Sequence, residues 1–556
     1  MYQLKQKTMK NRFNFKTTVC LSVLFLFGLS ASVKAQTNYY FYVQFANKNN
    51  TPYSLTDPSK YLSSRAIARR ASFHLTPDSL DLPVNPVYVS QIENLGVHVH
   101  CASKWMNGVT VKLTDSTKMS QVRTLPFVKF VQYTGLLVGA PLAPPAKVKD
   151  TTPLNYGIAA GQINQLNGTH LHDEGYRGKG MVIGEIDAGF TNVDTNPCFD
   201  SLRLQGRLLG TKDIINPHSN IFAEDAHGAY CLSIMTGNLP GQFLGTAPEA
   251  SFWLIRTEYS PTEYKVETDF WCSGAEFADS VGVDIITSSL GYYGFDDPIM
   301  SFTYADMNGK VSRASRAATI AANKGIVVLV AAGNEGTSAW HYIGSPADAD
   351  GIIAVGGVTP SGTPSTFSSF GPSADGRVKP EICATATGTA IVSTDGTPTT
   401  GNGTSFATPT MAGMMACFLQ RYKAQEPNPV ISVLLNSVFK TGSLFSNPTA
   451  QLGYGIPDFL KAEQNLPIYN SLYQLEKNSF TVAYNSLYNT LIIRYSDGRN
   501  PQNASVRIYS VNGETMLNQP ITDSSIILRT TGFAPGIYAV SVMENGKTDT
   551  RKIIIN

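Results

Sequence analysis

The chain has 556 residues, 15% of them charged and 42% hydrophobic, with 47 Gly, 26 Tyr and 27 Phe. That length and composition suit an ordered protein with more than one core and exclude extended disorder. A formal net charge of +2 is too small at this length to give nucleic acid or an acidic membrane surface an electrostatic hold.

Lys5, Lys7, Lys10, Arg12 and Lys16 precede an apolar run from about Val19 to Leu29, followed by small residues and Val33, Lys34 and Ala35. This order predicts a signal peptide over residues 1–35 with cleavage after Ala35. The apolar run spans about a dozen residues, short of the roughly 20 a membrane span needs. The mature protein is therefore expected to be secreted or cell-surface attached, with no transmembrane segment. Cys20 leaves with the signal, and Cys101, Cys198, Cys231, Cys272, Cys383 and Cys417 stay behind, scattered and without a CxxC or Cys/His cluster. They read as buried small hydrophobes with room for one bridge, and not as structural zinc ligands.

Residues 36–145 mix short strand patterns (YYFYVQF, VHVHCAS, GVTVKL, VKFVQYT) with a helix-like stretch, Leu62 to Ser72, carrying Arg65, Arg69 and Arg70. They predict a small α+β domain. The Pro-rich stretch GAPLAPPAKVKDTTP, between Gly139 and Pro153, cannot continue a helix or a central strand. It reads as an exposed linker open to proteolysis. Over residues 150–467 buried-strand runs (MVIGEI, ASFWLIR, VDIITSSL, GIVVLVAA, GIIAVGGV) alternate with helix patterns beginning near His227 and Ser312 and after GNGTS. That alternation predicts an α/β domain with a mostly parallel sheet and helices on both faces. Residues 474–556 turn wholly to short alternating strands, with Asn512–Gly513 and Asn545–Gly546 between them. These predict type I′ hairpins in a small β-sandwich.

In a parallel α/β sheet functional side chains gather beyond the carboxyl ends of the strands. Asp187 follows the strand MVIGEI, His227 opens a helix in AEDAHGAYCLSIM, Asn334 follows VVLVAA, and Ser405 lies in GNGTSFATP. A serine nucleophile needs a general base, the base an orienting acceptor, and the oxyanion a donor. These four residues supply one group for each role, although any one alone reads as a cap or a turn residue. Of the eight histidines none follows His341. The Ser–Asp–His order of α/β-hydrolases is thus excluded at Ser405, as is GxSxG, since position 407 is Ala. The order His–Asp–Ser belongs to an all-β fold that the strand–helix alternation contradicts. GNGTSF lacks the Lys of a phosphate loop, and the chain has no HExxH.

With the order Asp, His, Ser, these local sequences resemble the subtilases, the subtilisin-like serine endopeptidases. GTSFATP resembles the family's GTSMA(T/S)P box, DAHGA its HGT box, IDAGF its D-(S/T)-G box, AAGNEG its oxyanion box and GTAPEA its GVAP segment. The resemblance implies Ser405 as nucleophile, His227 as general base then acid, Asp187 as its orienter and the Asn334 amide as oxyanion donor. It further implies that Ser289, Leu290 and Gly291, with Ala331, Ala332 and Gly333, line the substrate and wall a pocket for uncharged side chains. Ala188 and Ala229 depart from the boxes, which bears on hydrogen bonds around the triad rather than on its members. The chemistry implied requires no cofactor, and the resemblance is compatible with structural calcium. His227 is expected to titrate near ~6.5, with activity falling below that pH. Residues 36–145 resemble a subtilase propeptide, which implies an inhibited precursor cut between about Gly139 and Pro153. The C-terminal run RIYSVNGE, GFAPGIYAVSV and RKIIIN resembles the sorting domains of type IX secretion, although AYNSLYN stands where YPNP is usual. This implies export through the periplasm, with the type IX machinery and protein or peptide substrates as partners. The competing reading is a subtilase-fold binding or adhesion protein with an inactive triad.

Overall fold

The computed structural model describes residues 37–73, 75–137, 154–423, 431–466, 480–485, 490–495, 500–545 and 547–555. The expected signal peptide and the Pro-rich stretch from 139 to 153 lie outside the described residues. The chain forms two units, Met1–Leu460 and Lys461–Asn556.

The first unit opens with an antiparallel sheet of β1 (Asn38–Phe45), β2 (His98–Ser103), β3 (Gly108–Leu113) and β4 (Val128–Leu137) in the order β2-β3-β1-β4. VHVHCAS is therefore an edge strand. The helices α1 (Ser64–Ser72) and α2 (Pro86–Glu93) accompany the sheet, with a short helical turn at Met119–Arg123. The Ser63 side chain starts α1 by accepting from Ala66 N at 3.1 Å, satisfying one of the free donors of the first turn.

A parallel seven-stranded sheet follows, built from β5 (Val182–Asp187), β6 (Leu208–Asp213), β7 (Ser251–Arg256), β8 (Ile285–Ser288), β9 (Val327–Ala331), β10 (Ile353–Val358) and β11 (Ile382–Thr385). The central strands are apolar runs because both faces are covered, so every residue of β5, β8, β9 and β10 is buried. One face carries α3 (His227–Thr236) and α6 (Thr404–Lys423), and the other α4 (Val266–Val281) and α5 (Arg313–Asn323). The order β11-β10-β9-β8-β5-β7-β6 makes β5 the switch point. The chain leaves β5 for the edge on one side, returns through β7, and then builds the remaining strands on the other. Ligands sit beyond the carboxyl ends of such strands, and Asp187 is the last residue of β5.

The N-terminal domain docks on α4 through buried charge. Glu276 accepts from Ser103 Oγ at 2.6 Å and from the backbone N–H groups of Lys104 and Trp105 at 2.8 and 3.0 Å. Asp279, fully buried, receives Arg69 at 2.5 Å, Arg70 at 2.8 Å and Lys104 at 3.3 Å. The arginines that sequence placed on one helix are thus the domain's grip on its neighbour.

The second unit pairs a three-stranded sheet, β12 (Phe480–Asn485), β13 (Thr490–Tyr495) and β16 (Ser525–Arg529), with a four-stranded one, β14 (Ala504–Ser510), β15 (Thr515–Ile521), β17 (Gly536–Glu544) and β18 (Lys547–Ile555). Alternate residues such as Leu491, Ile493, Val506, Ile508, Val540 and Val542 form its core. β17 and β18 meet at Asn545, which has φ 49° as a tight hairpin requires. The Asn512–Gly513 turn differs from expectation. The ladder shifts by one residue at Ile508/Tyr509 and continues to Tyr509 opposite Thr515. Ser510 N donates to the Glu514 carbonyl at 2.9 Å, so the loop is longer than two residues, and only Gly513, not Asn512, has positive φ.

Candidate active site

Asp187 lies at the end of β5 with no solvent exposure. Its Oδ1 accepts from His227 Nδ1 at 2.7 Å and from the backbone N–H of Ala188 at 2.8 Å. His227 opens α3, where Asp225 Oδ1 accepts its backbone N–H at 2.7 Å. Two glycines allow this approach. A Cβ on Gly228 would stand 2.5 Å from the Gly189 carbonyl and 2.9 Å from Asp187 Cβ, and one on Gly189 would stand 2.3 Å from Asp225 N. The glycines of both sequence boxes are therefore the surface along which strand end and helix start meet.

Burial works against a charged imidazole at His227, but the Asp187 charge and its hydrogen bond outweigh it, and the pKa is raised to about 9. The expected value near ~6.5 is an unperturbed one; the adjoining carboxylate moves it. With Nδ1 donating to Asp187, Nε2 remains as the acceptor a general base needs.

Ser405 stands in the first turn of α6, which packs against α3, and the Phe406 ring stacks on His227 with centroids 6.4 Å apart. Pro409 has no N–H for the Ser405 carbonyl four residues back. That carbonyl is taken up instead by Ser289 Oγ at 2.8 Å and Cys231 Sγ at 3.3 Å. Ser405 Oγ itself donates to the Ser289 carbonyl at 3.3 Å. Asn334 is fixed through Oδ1, which accepts from Thr404 N at 2.9 Å and Thr404 Oγ1 at 3.1 Å. Its amide nitrogen is thereby turned to the other side, and Nδ2 and Ser405 Cβ lie equally close, at 3.8 Å, to the point where a Gly403 Cβ would stand.

The two expected substrate segments flank the serine. Ser289 touches it directly, and Gly333 N donates to Thr404 Oγ1 at 3.2 Å. Leu290, Ala331 and Ala332 are buried, and Gly291 is exposed. Sequence reasoning missed Cys231, one helical turn after His227, whose Sγ lies within 4.8 Å of the ligating atoms of both Asp187 and His227. The HGAYC spacing was the available signal. All six cysteines of the described chain are free and five are buried, so the bridge left open does not form among them. Glu258, Glu263 and Glu267 also bring carboxylate oxygens within 4.8 Å of one another. Tyr292 Oη donates to Glu258 at 3.0 Å, and Tyr259 N and Tyr264 N donate to Glu267 at 2.9 Å each. Burial raises all three carboxyls above the usual range, with their mutual repulsion adding to it at Glu263 and Glu267.

The sequence model described as the subtilase family matches residues 178–458. The chain belongs to the subtilase family. The match spans Asp187, His227, Asn334 and Ser405 together. Two further models match this subtilase: the peptidase S8 propeptide domain of Bacteroidota over residues 40–147, and a secretion system C-terminal sorting domain over residues 485–556. It is similar to subtilisin NAT of Bacillus subtilis subsp. natto and subtilisin E of Bacillus subtilis (strain 168). Each is 31% identical over 264 residues, covering 47% of this chain and 61% of the relative. Thermitase of Thermoactinomyces vulgaris is 32% identical over 247 residues, covering 43% of this chain and 74% of thermitase. The subtilase thus spans about three fifths of the length of the two subtilisins it matches.

Proposed function

We propose that this chain is a secreted serine endopeptidase, made as an inhibited precursor, that hydrolyses peptide bonds through an acyl-enzyme at Ser405. The observation that carries the reading is the 2.7 Å bond from His227 Nδ1 to a buried Asp187, at the mouth of the strands where Ser405 starts a helix. His227 Nε2 takes the Ser405 proton as Oγ attacks the scissile carbonyl, and Asp187 holds the tautomer and stabilises the imidazolium. The Asn334 amide donates to the oxyanion as it forms, where a fixed donor is worth most. His227 then protonates the leaving amine, and water, deprotonated by the same ring, releases the acyl group. Nucleophile, base, orienter and donor are all side chains, so no step calls on a metal or cofactor. Ser289, Leu290, Gly291, Ala331, Ala332 and Gly333 align the substrate beside Ser405.

Residues 36–145 act as the inhibitory propeptide, and cleavage between about 139 and 153 activates the enzyme. Residues 474–556 direct export through the periplasm by type IX secretion, leaving the product in the medium or on the cell surface. Purified processed protein should cleave a protein substrate such as casein, and Ser405→Ala should abolish cleavage. Cleavage retained by a folded Ser405→Ala variant would overturn the assignment, and unchanged export after deletion of 474–556 would overturn the sorting role.

A further inference from the structure

Beneath the catalytic pair lies a row of buried polar atoms without partners. Asp187 uses only Oδ1; its Oδ2 is buried and unbonded. Glu185, two residues earlier on β5, is 1% exposed, and neither of its carboxylate oxygens has a partner. Thr287, on β8 directly opposite Glu185 in the parallel register, also buries a hydroxyl with no partner. Side chains two apart on a strand share a face, as do register partners on adjacent strands about 4.8 Å apart. The three groups therefore occupy one patch, on the face covered by α3 and α6. Buried polar groups without partners are rare, and a run of three at a catalytic carboxylate calls for a physical account.

The charges around the patch show which protonation state can satisfy it. Asp187 faces it from β5, His227 and Cys231 from α3, and Arg256 from β7, where it is already paired with Asp213 and Glu224. Glu258 follows β7, and Ser405 comes from α6. Among the described residues no free cation stands beside Glu185, so an ionised Glu185 would repel Asp187. Burial, with Asp187 beside it, holds the Glu185 carboxyl well above the usual carboxylate range. A neutral carboxylic acid carries one O–H donor and one free carbonyl oxygen. The donor is the function that the buried Asp187 Oδ2 lacks.

We propose that Glu185 is a positioning residue of the catalytic site: kept as the neutral acid, it donates its proton in a hydrogen bond to Asp187 Oδ2. The bond holds the Asp187 carboxylate in the orientation His227 needs. It also draws charge from Asp187 and so limits how strongly His227 holds its proton. The D-(S/T)-G box of the resemblance has a hydroxyl one residue after the aspartate, and here Ala188 has none. The donor in this chain comes from within the strand instead. The inference rests on the proposed triad.

The test is the pH profile of kcat/KM for the processed enzyme and three variants. Glu185→Gln keeps a donor and an acceptor and is expected to leave the acid limb in place. Glu185→Met keeps volume without a donor, so the limb should move to higher pH by roughly half a unit or more, on the order of one hydrogen bond. Its kcat should fall while KM holds. A Glu185→Met profile that superposes on wild type overturns the proposal, and so does a Glu185→Gln profile displaced as far as that of Glu185→Met. Should Glu185→Met fail to fold, Glu185→Leu is read in its place: an upward shift supports the contact and superposition overturns it. If the triad reading itself is wrong, the wild-type enzyme shows no Ser405-dependent activity, which is seen before any variant is compared.

Discussion

Replacing Asp279 by Asn should loosen the N-terminal domain from α4 without touching the catalytic residues. Asp279 is fully buried among Arg69, Arg70 and Lys104, all from the N-terminal domain. Removing one member of a buried ion pair costs about 3–5 kcal/mol, because the charge left behind stays desolvated. The lower end applies here. Arg70 keeps Asp81 at 2.7 Å, Arg69 keeps the Val283 carbonyl at 2.6 Å, and Lys104 Nζ keeps Ser280 Oγ at 3.1 Å. A loss of about 3 kcal/mol is roughly a 10²-fold shift toward the undocked state. If docking is what silences the precursor, the full-length variant should react with a fluorophosphonate probe about 10²-fold faster than the full-length wild type. The sign of the pH dependence follows from the same contact. Burial alone would raise the Asp279 carboxyl, but Lys104, Arg69 and Arg70 lower it from 3.8 to about 2. A depressed carboxyl stabilises the docked state fully above its free value and loses that contribution only as pH falls through the docked one. The ratio of labelling rates should therefore persist from neutral pH to about pH 5. Equal labelling at neutral pH, or a ratio that vanishes by about pH 5, would refute the reasoning.

Three further outcomes follow from the site. Because Asp187 raises the His227 pKa to about 9, and only the neutral ring accepts the serine proton, activity should decline with falling pH in a range above ~6.5. An acid limb centred at or below ~6.5 in kcat/KM would contradict the Asp187 effect. Asn334→Ala should lower kcat by about 10²–10³ with little change in KM; that figure comes from subtilisin and is carried over as an expectation. Steady-state kinetics on a peptide substrate decide it, and a loss confined to KM would remove Asn334 from the oxyanion role. Gly228→Ala puts a Cβ 2.5 Å from the Gly189 carbonyl, so it should separate α3 from β5 and abolish activity while lowering Tm. Near-wild-type turnover would show that this close approach is dispensable.

What sequence could and could not disclose divides by distance along the chain. Asp187, His227, Asn334 and Ser405 could be named as candidates because each sits in a short box whose glycines and flanking strand or helix are local. Histidine order then removed rival triads. The sheet was legible because β5, β8, β9 and β10 are continuous apolar runs. Glu185 was not, since a lone carboxyl inside such a run carries no mark of being unpaired; that depends on what packs against the sheet face it shares with Asp187. The grip of Arg69 and Arg70 on Asp279 spans some two hundred residues, and helical spacing alone names no partner. Glu258, Glu263 and Glu267 converge only because the loop after β7 folds back on α4. The Asn512–Gly513 turn was misjudged because a bulge, invisible in the pattern, shifts the register of its ladder by one residue.

The most direct test of the account is to label the processed protein with a fluorophosphonate and locate the adduct by mass spectrometry. A single adduct on Ser405 is expected, formed more slowly as pH falls and lost in His227→Ala. A correctly processed, folded protein that takes no label, or takes it on another serine, would contradict it.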